Sequence, residues 1–241
     1  MLANKADPRI AIAFTSLNTP LTNHTSDLSI GQAFGIARFT PPSPERFAFQ
    51  VDGFAVVHAR FSDYDVLVAE DYRAGLLGTF RFGNAHGKFG YEHTSTHLGD
   101  EVAEINNLRR TEYQKDELVG GLDYVIAQQL RLYGVAGYAF SMTVQDPNAS
   151  RWRFDVGGEW FRRQPTTRIG APFAAVNVNF DGAKDYFMPT LTCQAGWLWR
   201  KADSRLGQFR VYGEYVNGRS QYGQLAMNRE EYFGLGMSLD Y

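Results

Sequence analysis

Apolar and polar residues alternate along most of this chain. In EYFGLGMSLDY, Phe233, Leu235, Met237, Leu239 and Tyr241 share one parity, and Tyr232, Gly234, Gly236, Ser238 and Asp240 share the other. Successive side chains of a strand point to opposite faces, so the stretch predicts a strand with one greasy face and one small or polar face. ERFAFQVDGFAVVHARF repeats the pattern, with Phe47, Phe49, Val51, Ala55, Val57 and Phe61 opposed to Gln50, Asp52, His58 and Arg60. EDYRAGLLGTFRF sets Tyr72, Leu76, Phe80 and Phe82 against Asp71, Arg73, Thr79 and Arg81. RWRFDVGGEW sets Trp152, Phe154, Val156 and Trp160 against Arg153, Asp155 and Glu159, and GQFRVYGEYV sets Phe209, Val211 and Tyr215 against Arg210, Tyr212 and Glu214. With RIAIAFTSL, SIGQAFGIARF, GKFGYEHTST, LVGGLDYVI, LRLYGVAGYAF, PFAAVNVNFDG and TLTCQAGWLWR, about twelve strands are predicted, many near the ~9–11 residues of a tilted membrane strand. No helix-period stretch of useful length interrupts them, and no fixed-period repeat points to a propeller or solenoid.

The connections alternate in length. NTPLTNHTSD, SDYDVLV, LGDEVAEINNLRR, TVQDPNAS and GRSQYGQLAMNRE, after the first, third, fifth, seventh and eleventh strands, are long. TPPSPE, GNAHG and AQQ, after the second, fourth and sixth, are shorter, while RRQPTTRIGAP is longer than such an alternation wants. Long loops at one end and short turns at the other are the habit of bacterial outer-membrane barrels.

Sidedness decides between a soluble and a membrane barrel. A soluble barrel turns its apolar face inward. About eight strands already enclose a lumen that side chains fill, and twelve enclose one too wide for an apolar core. Aromatic and aliphatic side chains against lipid, and charges of mixed sign within, resolve both facts. Trp152, Trp160, Trp197 and Trp199 would then form interfacial girdles. The expected fold is a single-domain, all-β, transmembrane antiparallel up-and-down β-barrel over residues 1–241, in the bacterial outer membrane. Its partners are the bilayer and outer-membrane lipids, with a protein partner in an outer-membrane assembly as a further option.

Composition adds exclusions. A formal charge of −2 over 241 residues gives no argument for nucleic-acid binding. No run of eighteen apolar residues marks a transmembrane helix, and the opening residues lack the basic start and apolar stretch of a secretory signal. Cys193 stands alone, so no intrachain disulfide forms; on the apolar parity it reads as a small filler. The expected lumen network comprises Asp52, Asp71, Arg73, Glu92, Arg153, Asp155, Arg210 and Glu214. Arg73 is a same-face neighbour of Asp71, Arg153 of Asp155, and Arg210 of Glu214. Mixed signs favour a structural plug over an ion-selective filter.

The segments KADPR, EDYRAGL, HTSTHLGDE, LYGVAGY, YGEYVNGRSQYGQ and EEYFGLGM occur in this order. In them the whole chain resembles an uncharacterised bacterial family, the domain of unknown function numbered twelve-oh-seven, whose members are described as outer-membrane proteins. Thr96 stands where that family usually has a second Ser. The resemblance implies an outer-membrane barrel and no established activity.

GYEHTSTHLGDE concentrates the candidate chemistry. His93 and Ser95 share a strand face, with Cα atoms roughly 6–7 Å apart, close enough for a base and a nucleophile. The pair resembles the His-x-Ser of outer-membrane phospholipase A and lipid A deacylase, which implies Ser95 as nucleophile and His93 as base. Thr96 and His97 replace the Asn that follows the Ser in those families, so an orienting Asn, Asp or Glu has to come from an adjacent strand. The plainer alternative is a polar strand end, with LGDE as a turn around Gly99 and Asp100. His93 and His97 lie ~13 Å apart on a strand and cannot share a metal; His97, Asp100 and Glu101 remain as surface donors for calcium or zinc. Asn217, Arg219 and Gln221, in the polar stretch NGRSQYGQ, are further binding candidates. No metal or cofactor is expected. The expected role is structural, docking or narrow-channel, with an outer-leaflet lipid acyl hydrolase and a small-solute pore as alternatives.

Overall fold

The structure, a computed structural model, describes residues 1–17, 22–39, 47–107, 110, 113–144, 149–162, 164–181, 189–200 and 207–240. Twelve strands follow in order: β1 (Ile10–Leu17), β2 (His24–Phe39), β3 (Phe47–Ser62), β4 (Leu67–Phe82), β5 (Ala85–Leu98), β6 (Tyr113–Ile126), β7 (Leu130–Val144), β8 (Trp152–Phe161), β9 (Ala171–Asp181), β10 (Thr190–Arg200), β11 (Gln208–Arg219) and β12 (Arg229–Asp240). Each pairs antiparallel with its sequence neighbours, and β1 closes on β12 with Ile12 opposite Met237. The sheet is therefore an up-and-down barrel without edges, in which every strand finds its ladder partners within the wall.

The expected sidedness holds. Phe233 and Leu235 are 69% and 72% exposed on the outer wall, whereas the largest fully buried side chains are Arg60 and Arg210. An apolar exterior around an ionic interior is the arrangement of a transmembrane barrel. Two aromatic belts mark its rims. Trp152 tilts against Tyr138 at one rim; at the other, Trp197 and Trp199 donate to the carbonyls of Ile169 and Arg168 and pin the β8–β9 connection. A charge placed in this wall meets hydrocarbon, so Leu235→Arg is expected to lower stability by roughly 2–4 kcal/mol. Urea unfolding from phospholipid vesicles measures it, and an unchanged midpoint would contradict the assigned sidedness.

Much of the lumen is occupied. Residues 1–9 fold back inside the barrel, where Arg9 Nη1 and Nη2 donate to the carbonyls of Leu2 and Met1 at 2.8 Å each and gather the segment into a hook. Leu2 and Ala3 pack against Phe161, Phe173, Leu198 and Tyr212. Lys5 Nζ lies 3.1 Å from Glu214 and 3.7 Å from Asp27. Burial alone would lower the Lys5 ammonium, but Glu214, Tyr232 and Asp27 outweigh it and raise it well above its ordinary range. Lumen rings also cover glycines: Tyr133 lies over Gly157 and Tyr212 over Gly236, each closer than 3 Å to where a Cβ would sit. Gly157→Val is expected to displace the Tyr133 ring and destabilise the barrel by roughly 1–3 kcal/mol. Loss of the hydrogen bond from Tyr133 to Asn177, now 2.9 Å, should accompany it in a structure of the variant.

Three expectations need correction. LGDE is not a simple turn: Asp100 opens a short helix, α1 (Asp100–Ile105), because Gly99 is extended and the two acids sit in the favourable first turn. The β3–β4 connection is short, 63–66, because both strands extend past their apolar runs. Two of the three same-strand ion pairs, Arg73 with Asp71 and Arg210 with Glu214, give way to cross-strand partners. The TPPSPE connection and Tyr241 lie outside the described residues.

Candidate active site on the outer wall

His93 and Ser95 stand on the outward face of β5, near the end of the barrel that carries α1. The ladder places Asp116 of β6 opposite His93, Ala74 of β4 on its other side, and Gln114 opposite Ser95. His93 Nδ1 and Asp116 Oδ1 are 2.8 Å apart, and the Tyr91 hydroxyl donates to the same oxygen at 2.6 Å. An ionised carboxylate only accepts, so Nδ1 carries the proton and Nε2 is left as the basic nitrogen. Ala74 leaves room beside the imidazole. A register shift between Asp116 and Glu117, opposite Ser141 and Ala139, sits directly beside the site; bulges of this kind re-aim neighbouring side chains. Ser95 is half-buried and makes no side-chain hydrogen bond among the described residues.

Asp116 is the member that sequence reasoning missed. The sixth strand was expected to begin near Leu118, but it begins at Tyr113. Asp116 has the parity of Leu118, Leu122 and Tyr124, the greasy face. A carboxylate on that parity was the available signal, because ionisable groups on a lipid-facing wall are costly and mark functional positions.

The remaining candidates scatter. His97 points outward with its ring edge-on to Tyr72 at 5.8 Å. Asp100 pairs with Arg110 at 2.5 Å, and Glu101 is exposed. Among the described residues no three His, Cys, Asp or Glu side chains gather around a metal position, so the His97, Asp100 and Glu101 set does not form. Asn217 stays on the outer face, bonded to Tyr215 and Arg229. Gly218, at φ 150°, breaks the alternation, and Arg219 and Gln221 turn into the lumen. The binding trio is therefore split by the wall.

The eight expected lumen residues all face inward. Arg153 keeps its same-strand partner Asp155 at 3.0 Å and also reaches Glu92 at 3.0 Å. Arg73 pairs with Glu92 instead of Asp71, and Arg210 pairs with Asp240 at 2.7 Å instead of Glu214. Asp52 accepts from Thr79 at 2.8 Å. Both new partners are diagonal neighbours on the adjacent strand, since Arg73 faces Thr94 and Arg210 faces Ser238; a diagonal separation of ~7–8 Å is within reach of a long arginine side chain, whereas Glu214, four residues along the same strand from Arg210, is ~13 Å away.

The family described as protein of unknown function (DUF1207) matches residues 7–241. The chain belongs to the DUF1207 family. No curated protein matches it by sequence. Among solved structures, outer membrane phospholipase A from Escherichia coli is similar over 100% of this chain and 95% of its own, with a TM-score of 0.67 and 11% identity. An active-site mutant of that enzyme, in which an Asn is replaced by Ala, matches with a TM-score of 0.67 and 11% identity over 97% of this chain and 90% of its own. The KdgM porin is similar over 97% of this chain and 99% of its own, with a TM-score of 0.52 and 8% identity. At these identities the likeness is one of fold: this DUF1207 chain has the architecture of outer-membrane barrels.

Proposed function

We propose that this DUF1207 protein is an outer-membrane acyl hydrolase that cleaves lipid esters at the membrane surface, with Ser95 as nucleophile, His93 as general base and Asp116 as the group that orients His93. One observation carries the reading: the 2.8 Å His93–Asp116 hydrogen bond on the lipid-facing wall, with Ser95 two residues along the same face. A buried structural ion pair would sit in the lumen with the others; this one faces the acyl chains, where an ester substrate lies. The solved phospholipase with the same fold has an active-site Asn; here the side chain bonded to His93 is Asp116.

Ser95 Oγ attacks the acyl carbonyl carbon while His93 Nε2 takes the hydroxyl proton; the tetrahedral intermediate expels the lysolipid alkoxide, which leaves with that proton. Water, deprotonated by His93, then attacks the acyl-Ser95 ester and releases the fatty acid. Rotation of the Ser95 and His93 side chains closes the remaining gap, as hydrogen bonds of such pairs often tighten only with substrate. Gln114, opposite Ser95 on the same face, is placed to offer its amide N–H groups to the oxyanion. Gln114→Ala is expected to lower kcat about 10²–10³-fold with KM little changed.

An open solute pore has less support, because residues 1–9 and the ion-pair network occupy the lumen. The deciding experiment treats the folded, detergent-solubilised chain with a long-chain alkyl sulfonyl fluoride, which loses fluoride as the serine oxygen bonds to sulfur. Peptide mass spectrometry should place the adduct on Ser95, with parallel loss of fatty-acid release from phospholipid micelles. A protein that is neither labelled nor active on phospholipid or lipid A esters is no hydrolase.

A further inference from the structure

Between the folded-back segment of residues 1–9 and the β11–β12 connection, which contains the short 3-10 turn Gly223–Leu225, lies a lumen cavity of about 230 Å³. A single water needs only ~10–15 Å³ on this measure, so the space accommodates a larger guest. Six cationic and six anionic side chains line it, which favours a guest without net charge.

Pairing among these twelve is nearly complete. Lys5, Arg9, Arg73, Lys115 and Arg153 each have a carboxylate within 4.0 Å. Asp27, Glu117, Asp155, Asp181 and Glu214 each have a cation within the same distance. The exceptions, among the described residues, are one of each sign. Arg219 is 7% exposed and has no carboxylate partner; its Nε donates to the Ala226 carbonyl at 2.7 Å, its Nη2 reaches the Met227 sulfur at 3.2 Å, and its Nη1 has no hydrogen-bond partner. Asp71 is 6% exposed and has no cation partner; its carboxylate accepts only from the Gly223 N–H, at 3.2 and 3.3 Å. In the same cavity lining, the Gln221 carbonyl oxygen is also without a donor. Burying a guanidinium and a carboxylate without counter-ions is costly, and the two side chains flank one space.

We propose that this cavity is a binding site for a small zwitterion, whose anionic group, a carboxylate or a phosphate, takes Arg219 and whose ammonium takes Asp71 and the Gln221 oxygen. Such a guest supplies both missing charges and leaves the cavity neutral. The site is separated from Ser95 by the barrel wall and does not depend on the hydrolase reading.

The test is isothermal titration calorimetry on the full chain folded in detergent micelles. The probes are glycine and phosphoethanolamine, with acetate and methylammonium as half-ligands. At least one zwitterion should bind at least tenfold more tightly than either half-ligand, and the comparison of glycine with phosphoethanolamine identifies the anionic group. Arg219→Gln and Asp71→Asn should each weaken that binding at least tenfold, in protein whose heat-modifiable gel migration shows a folded barrel. If a variant fails to fold, the wild-type ranking of zwitterions over half-ligands decides. No binding of either zwitterion would mean that Arg219 and Asp71 meet only solvent, and binding that survives both substitutions would place the guest elsewhere; either result overturns the proposal.

Discussion

Replacing Ser95 with Ala is expected to abolish fatty-acid release while leaving the barrel folded. The nucleophile sits on the outer face, half-buried and without a side-chain hydrogen bond among the described residues, so losing its hydroxyl strands no partner. In triads of this type removal of the nucleophile or base costs a factor of about 10⁴–10⁶ in kcat, and the members act as a unit. His93→Ala should therefore match Ser95→Ala, and the double variant should be no worse than either. Asp116→Ala is expected to cost about 10²–10⁴-fold through loss of the Nδ1 tautomer. Asp116→Asn should retain more activity than Asp116→Ala, since an amide oxygen can still accept from Nδ1. Initial rates on a phospholipid in mixed micelles, with gel migration as the folding control, measure all five. Additive losses at positions 93 and 95 would mean that the two residues do not work on one reaction.

The second large effect lies in the lumen. Arg60 donates through Nε and Nη2 to both oxygens of Asp27, at 2.8 and 2.9 Å, and through Nη1 to Glu230 at 2.7 Å. Its guanidinium also lies 4.6 Å from the Tyr222 ring centre. Arg60→Met keeps much of the volume but leaves the buried Asp27 and Glu230 carboxylates without the guanidinium that lies between them. Breaking one side of such a buried network costs about 3–5 kcal/mol. The expected result is a lower urea midpoint in micelles, read by tryptophan fluorescence. Adding Asp27→Asn and Glu230→Gln should recover much of the loss, because the stranded charges disappear with them. Equal stability of Arg60→Met and the parent protein would show that the network is solvated and contributes little.

The order of candidate roles changed between sequence and structure for one reason. The His93 and Ser95 pair was visible as a same-parity pair, but its third member lies on another strand, 21 positions beyond Ser95 in the chain. Sequence spacing carries no register across strands, and the connection between β5 and β6 contains α1, which the alternating pattern did not reveal. The same limit applies to Asn217, Arg219 and Gln221: one stretch of chain supplied all three, and a single left-handed glycine, Gly218, sent the last two inward.

What the sequence alone determined is sidedness and strand number. Two-residue periodicity is a local property, fixed by the pleat, so Leu235 outward and Arg210 inward could be read without any partner strand. The twelve-strand closed barrel followed, because a chain of such strands must satisfy every backbone group within the wall. Only the tertiary structure decided who meets whom: Asp116 with His93, Arg60 with Asp27 and Glu230, residues 1–9 in the lumen, Arg219 and Asp71 around one cavity. Those contacts depend on ladder register and on how the chain folds back through the barrel, which are distances between remote segments and leave no trace in the alternation of neighbours.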